Sequence, residues 1–218
     1  PASRLGSSIR SVQLAAIATH RAHSAGVVGE PEAWSGMLLR LTDGSHDPWC
    51  LVAEDLARPA FLQPPVPERN LGAFKTICEC PDELDLLVTA KNHDVKAARV
   101  HRARPEHWVF ALVSLQTMQG YSGKMNYGIA RMNGGTASRP GIAVTPGLDI
   151  GSRFRRDLIV HLEGRDTLVS HYDYRVEGGE SLLWLEPWDG KDGSSLSLAA
   201  CDPFFIEICR RVRLVANA

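Results

Sequence analysis

The sequence contains no CxxC pair, no apolar run of membrane-spanning length and no stretch that resembles a secretory signal. A four-cysteine zinc site needs such pairs, so the chain offers no support for one. Its cysteines are odd in number, five in 218 residues. Free, buried thiols in a reducing compartment are the better interpretation. We therefore expect a cytoplasmic protein without a disulfide framework and without a membrane span.

Acidic residues are absent from residues 107–148. Within that stretch lies a glycine-rich segment, residues 117–141, with the sequence TMQGYSGKMNYGIARMNGGTASRPG and six glycines. Glycine lets backbone N–H groups approach a ligand closely, and spaced cations without acids favour polyanions. We interpret the glycine-rich segment as a nucleic-acid-reading surface. The alternative is a mobile surface lid or an oligomer contact.

The charge of the chain is unevenly distributed, although its formal net charge is only −1. Residues 91–156 carry eleven Lys and Arg against three acids, and the acidic excess lies in the rest of the chain. A basic central third inside an acidic frame is typical of a protein that binds nucleic acid on one face. The alternative is that the charges mix once the chain folds.

Motifs for enzymatic chemistry are weak. The run GYSGKMN superficially resembles a phosphate-binding P-loop, but only two residues separate Gly120 from Gly123. Met125 follows Lys124 where the motif needs a Ser or Thr hydroxyl for Mg²⁺. His161, His171 and Asp173 fit no metal-ligand spacing, and no G-x-S-x-G nucleophile elbow occurs. We expect no catalytic residue, no metal and no cofactor.

The patterning predicts an α+β fold, with helices around small mixed sheets, in one domain over residues 1–218. Helices are expected after a serine cap at Ser7 and Ser8, from Pro31 and from Pro105. Residues 151–164 run from three arginines into apolar periodicity. Residues 74–80 suit a strand, and residues 81–90 begin like a short helix. The proline-dense residues 58–70 should be irregular, with Phe61 and Leu62 plugging them onto the core.

The last patterns lie nearer the end of the chain. Trp184 and Trp188 are expected in the core or in an interface rather than at a catalytic centre. Residues 202–215 suit either a strand with a basic edge or an amphipathic helix.

The chain resembles the large subunit of the type I-E CRISPR surveillance complex, Cascade, from about residue 9 to residue 215. The most specific part is LQTMQGYSGKMNYGIARMNGGTASRPG, which resembles the glycine-rich loop region of that family. Three further runs fall in matching order: RPAFLQ, LLVTAKNHDVKAARV and DPFFIEICRRVRL.

This resemblance implies a subunit that is not an enzyme and that takes part in antiviral defence. It would recognise the protospacer-adjacent motif in duplex DNA from the minor-groove side and support opening of the strands. Its partners would be double-stranded target DNA, guide RNA, the other Cascade subunits and a helicase–nuclease.

The resemblance places the tip of the glycine loop at Gly123 and Lys124, between Gly120 and Gly128. It places the loop that meets the guide-RNA handle, or neighbouring subunits, at Asn92 and His93, with Lys91 and Lys96 beside them. From the residues themselves, Gly123 offers close backbone approach, Lys124 offers charge and Asn126 offers a hydrogen bond to a base edge. The candidate DNA-binding residues are Gly120, Ser122, Gly123, Lys124, Asn126, Tyr127, Gly128, Arg131, Asn133 and Arg139.

The sequence departs from the family at both ends. Family members are longer, begin with a short strand before the first helices and end in a helical bundle, which we expect to be absent from this chain. Their strand-separating hairpin and a second motif-contacting lysine would lie beyond Ala218, which leaves strand opening in doubt. Two other functions stay open: a scaffold that binds the guide-RNA handle, and an enzyme that binds a phosphate-bearing substrate at the glycine-rich segment.

Overall fold

The computed structural model describes residues 2–24, 29–84, 103–118, 147, 149–188, 196–208 and 210–216. Five α-helices and two strands occur in these ranges, beside four short 3-10 helices: α1 Ala2–Arg21, α2 Pro31–Arg40, α3 Pro81–Leu84, α4 Pro105–Met118, α5 Ile150–Tyr172, β1 Glu180–Leu182 and β2 Cys201–Ile206. The two strands pair in parallel, with Glu180 opposite Cys201 and an irregularity before Leu182 meets Ile206. The mixture of helices with a small sheet is the α+β arrangement that the patterning predicts. The sheet described is parallel rather than mixed.

Helix α1 is the element around which the others pack, because it contacts α2, α4, α5 and β2. Its alanine-rich face makes close approach possible, and Val12, Ala16 and Ile17 are at most 3% exposed. The predicted helix is confirmed, but the serine cap is wrong, since the helix begins at Ala2 and runs through Ser7 and Ser8. Serine is a preferred N-cap, but a cap contributes only about 1 kcal/mol, and no proline lies between Ala2 and Ser8 to stop the helix from starting earlier.

Trp184 lies at the centre of the main core and is fully buried. Its ring packs edge-on against Trp49 and Phe61, with centroids 5.9 and 6.0 Å away, and its indole N–H donates to the carbonyl of Pro48 at 3.2 Å. Leu62 belongs to the same cluster and is 1% exposed, and Phe61 packs against the cluster. The predictions for Trp184 and for the plugged loop are both confirmed.

Proline keeps the 58–70 loop free of helices and strands, apart from one isolated bridge between Ala60 and Gln63. The expectation of a strand at residues 74–80 is wrong, because these residues form no ladder with any part of the chain that the structure describes. Ile77 is 86% exposed there. Alternation of apolar residues predicts a strand only where another segment lies beside it to complete the hydrogen bonds.

The sequence 202–215 divides into two parts. The strand alternative is confirmed for β2, after which residues 210–216 continue without regular structure. Helix α3 covers only the first four residues of the helix expected over 81–90, and residues 85–90 lie outside the described ranges.

The cysteines that the structure describes are free, as expected, but they are not all buried. Cys201 is buried, Cys78 and Cys80 are half-buried, and Cys50 is exposed. Burial raises the pKa of the Cys201 thiol to about 11 and also raises the pKa of Cys78. These two thiols are therefore protonated near neutral pH and are poor nucleophiles.

Gly179, the residue before β1, lies very close to the backbone at the start of β2. A Cβ atom added there would lie 2.5 Å from the backbone nitrogen of Asp202 and 2.6 Å from the carbonyl carbon of Cys201. Its own carbonyl accepts a hydrogen bond from the Arg21 guanidinium at the end of α1. Only a residue without a side chain fits between these backbones.

We predict that Gly179→Ala lowers the free energy of unfolding by about 1–3 kcal/mol, because the added methyl group must push β1 and β2 apart. Urea denaturation measures the change. Gly164→Ala is the matched control, since Gly164 lies within α5 and an added Cβ meets nothing within 4 Å. That variant should be stabilised by roughly 0.5–1 kcal/mol. Equal effects at the two positions would contradict the prediction.

Candidate nucleic-acid interface

The candidate DNA-binding and RNA-handle residues all lie outside the described residues. They are Lys91, Asn92, His93, Lys96, Gly120, Ser122, Gly123, Lys124, Asn126, Tyr127, Gly128, Arg131, Asn133 and Arg139. The structure describes instead the two helices on either side of the glycine-rich segment and its continuation to residue 148, and we call these two helices the frame. That frame consists of α4, which leads into the segment, and α5, which follows it.

Both helices of the frame pack against α1. Helix α4 begins at Pro105 with Glu106 in its first turn, as the sequence predicts, and its residues 111–117 are buried. Proline and an acid both suit the first turn of a helix, and the apolar body that follows fills the core. The chain therefore enters and leaves the glycine-rich region on two helices attached to the same third helix.

The end of α4 is held by Arg10, a buried residue of α1. The guanidinium donates to the hydroxyl of Thr117 at 3.0 Å and to the carbonyl of Gln116 at 2.9 Å. It also lies 3.9 Å from the Glu207 carboxylate, which is 3% exposed. We call Arg10, Gln116 and Thr117 the helix-end anchor. Gln116 and Thr117 lie in the last turn of α4, and Arg10 contacts that turn from α1.

The Gln116 side chain of the helix-end anchor both donates to and accepts from backbone groups of other segments. Its amide nitrogen donates to the carbonyls of Leu62 and Arg210 at 3.0 and 2.8 Å, and its oxygen accepts from the backbone nitrogen of Arg210 at 3.0 Å. The anchor thus joins α4 to the proline-rich loop and to the 210–214 segment. Sequence analysis missed it, although a glutamine among the apolar residues of a buried helix is an available signal.

The other end of the glycine-rich region is defined by Asp149, the N-cap of α5. Its carboxylate accepts from the backbone nitrogens of Ser152 and Gly151 at 2.7 and 3.4 Å. A hydrogen bond with the Ser152 side chain, together with these two backbone hydrogen bonds, holds the pKa of Asp149 below its usual value. The acid that ends the acid-free stretch is therefore a helix cap, and its negative charge is satisfied by the helix.

The positive charge around α5 is partly neutralised. Arg153 and Arg156 lie 3.7 and 2.8 Å from the carboxylate of Asp157, one residue beyond the basic stretch counted in the sequence. Arg104 lies 2.9 Å from Glu106. Arg155 is exposed. Glu106 is already included in the count along the chain, so only Asp157 lowers the charge excess, and it lowers it by one.

The histidines considered for catalysis make other contacts. His161 is 2.7 Å from the carbonyl of Asp157 and packs against Phe204, and His171 packs against Tyr172. Asp173 ends α5 in a left-handed conformation. Among the residues that the structure describes, no cluster of three or more His, Cys, Asp or Glu is arranged for a metal ion. No helix in those same ranges has the length and apolar character needed to cross a membrane.

Comparisons with protein-family models, with curated proteins and with solved structures find no match for this chain.

Proposed function

We propose that this chain is a non-catalytic subunit of an RNA-guided effector complex, in which it recognises a short motif in duplex DNA. The glycine-rich segment is the reading element. The observation that carries the proposal is the composition of this segment, with six glycines and three cations inside a stretch without acids. Its resemblance to the large subunit of Cascade gives the proposal its biological setting. In that setting the partners are guide RNA, further subunits and a helicase–nuclease.

The frame supports this proposal through its construction. A reading loop needs fixed ends, because base discrimination depends on placing donors within hydrogen-bond distance of base edges. Here α4 ends in a turn held by buried hydrogen bonds, and α5 begins with a satisfied cap. Both helices pack on α1. Such a frame would limit the positions that the segment can take.

The proposed chemistry divides between main chain and side chains. Backbone N–H groups around Gly123 approach the minor groove, where a side chain would prevent contact. Lys124 neutralises phosphate charge, and Asn126 forms a hydrogen bond to a base edge. Tyr127 and the cations Arg131 and Arg139 add stacking and charge. Reading from the minor groove distinguishes A·T from G·C more readily than it distinguishes all four pairs, so several related motifs should be accepted.

The proposal is tested by selecting bound duplexes from a randomised library with the intact protein, followed by affinity measurements at several salt concentrations. We predict that Lys124→Ala weakens binding to all sequences and lowers the slope of log affinity against log salt by about one, as expected for one lost phosphate contact. Lys75→Ala is the matched control, since Lys75 is exposed outside the basic third. It should leave the slope unchanged.

Two outcomes would contradict the proposal. If the selection enriches no common motif, the proposal that the chain recognises a DNA sequence is contradicted. The second outcome combines two results: the intact protein binds no duplex, and charge reversal at Lys91 and Lys96 abolishes guide-RNA binding. Together they would identify the chain as a scaffold for the RNA handle.

A further inference from the structure

We propose that Arg10 and Gln116 are positioning residues, which set how strongly the glycine-rich segment discriminates its motif from other duplex DNA. They do so by fixing the last turn of α4. This inference rests on the proposed function and adds a determinant of selectivity that lies outside the segment itself.

The residues of the helix-end anchor are deeply buried. Arg10 is 5% exposed, Gln116 is fully buried and Thr117 is 7% exposed. Burying an arginine and an amide costs free energy unless their hydrogen bonds are made, and apolar side chains of similar size would pack at less cost. Polar residues at such sites favour one arrangement of the elements over others, because a shifted arrangement leaves them without partners. The helix-end anchor therefore favours a single position of the last turn of α4.

The helix-end anchor connects α4 to several distant parts of the chain. Through its side chain, Gln116 contacts two segments that are distant in sequence, at Leu62 and at Arg210. Arg10 adds contacts from α1 to the backbone and the side chain of the same helical turn. Three parts of the chain therefore converge on the turn that leads into the glycine-rich segment. A shift of that turn requires several buried hydrogen bonds to break together.

Gln63 provides an internal comparison. It is as fully buried as Gln116 and also clamps the 210–214 segment, because its oxygen accepts from the backbone nitrogen of Leu214 at 2.6 Å. Its amide nitrogen donates to the carbonyls of Leu51 and Phe61. These hydrogen bonds join parts of the chain other than α4. The two glutamines thus do similar structural work, but only Gln116 holds the end of α4.

Motif discrimination should depend on this anchor more than general DNA binding does. Non-specific binding follows from charge near phosphates and tolerates small displacements. Base readout requires donors placed to within about 0.5 Å. Loosening the last turn of α4 would therefore reduce affinity for the motif and leave non-specific affinity largely unchanged.

The experiment compares Gln116→Met with Gln63→Met in the full chain. The probes are the duplex selected by the unmodified protein and a scrambled duplex of the same composition. Both variants should be destabilised in urea. We predict that Gln116→Met lowers the ratio of the two affinities by about tenfold, within the range expected for residues that act through another site. The Gln63→Met variant should keep that ratio within about twofold. Hydrogen exchange at residues 113–118 should accelerate selectively in Gln116→Met.

Thr117→Val is a milder second variant, which removes only the hydroxyl that accepts from Arg10 and keeps the shape of the side chain. It should lower the affinity ratio by a smaller factor than Gln116→Met and with little loss of stability. The inference is overturned if the unmodified protein distinguishes the motif from scrambled duplex and both Gln116→Met and Thr117→Val distinguish them as well as it does. It is also overturned if the two glutamine variants lose discrimination to the same extent, which would mark a general structural effect. If the unmodified protein itself shows no discrimination, the proposed function fails first, and the inference fails with it.

Discussion

Replacing Arg165 with Met should lower the free energy of unfolding by about 3–5 kcal/mol, which is the cost of breaking a buried ion pair from one side. Arg165 in α5 is 3% exposed, and Asp202 in β2 is 1% exposed. The guanidinium lies 3.3 Å from the Asp202 carboxylate and donates to the carbonyl of Val176 at 2.8 Å. Methionine fills much of the same space but leaves the carboxylate buried without its cation.

The location of this ion pair adds to its expected effect. The other oxygen of Asp202 accepts from the backbone nitrogen of Phe204 at 2.9 Å, and the backbone of Asp202 lies directly against Gly179. A carboxylate that moves toward water would therefore disturb both strands of the sheet. Since β2 also packs on α1, the disturbance should reach the helix that supports α4 and α5.

Urea denaturation of three variants measures the contribution of the pair. Arg165→Met alone should show the large loss, whereas Arg165→Met combined with Asp202→Asn should recover part of it, because no unpaired charge remains buried. Arg58→Met is the matched control at an exposed pair with Asp47, 2.8 Å apart, and should change stability little. A double variant less stable than Arg165→Met alone would contradict the explanation based on the unpaired charge.

Replacing Gly123 with Asp and Lys124 with Ala together should reduce affinity for the selected duplex by about 100-fold, as expected when roughly two contacts worth about 1–3 kcal/mol each are lost. The aspartate side chain would occupy the space that the backbone needs at the groove, and its charge would repel phosphates. The loss of Lys124 removes a counter-charge. Motif preference should fall further than affinity for scrambled DNA, since in the proposed function the backbone contact would carry the discrimination.

A matched control separates this local effect from the change in net charge. Gly29→Asp with Lys75→Ala alters the formal charge by the same amount at two exposed positions outside the basic third. An added Cβ at Gly29 meets nothing within 4 Å, so the fold should tolerate it. Binding to the selected duplex should be nearly unchanged in the control. Equally strong binding by the Gly123→Asp, Lys124→Ala variant would remove the glycine-rich segment from the proposed function.

Local patterns predicted much of this fold. Proline and acid at residues 105–106, followed by apolar periodicity, correctly predicted a helix that begins at Pro105, and Pro31 correctly marked the start of α2. The proline density of residues 58–70 excluded regular structure there. Tryptophan at position 184 was correctly expected in the core. The candidate reading residues were chosen from glycine and charge content, and they remain predictions because they lie outside the described ranges.

The frame around those residues could not be predicted in the same way. The pairing of Arg10 with the end of α4 joins residues more than a hundred positions apart. Gln116 binds the backbone of Arg210, 94 positions away, and Gln63 binds the backbone of Leu214, 151 positions away. Periodicity carries no information about such partners. The counter-charge that Asp157 supplies to Arg153 and Arg156 was overlooked for a simpler reason, since it lies just outside the stretch that was counted.

The sequence by itself determined that helices begin at Pro31 and Pro105, that residues 58–70 are irregular and where glycine and charge are concentrated, because these properties depend on neighbours along the chain. Only the tertiary structure decided which polar residues are buried together, that residues 74–80 lack a ladder in the described ranges, and that α1 supports both sides of the glycine-rich region. The physical reason is that a buried charge, a side-chain amide or a strand is stabilised by a partner that folding brings to it.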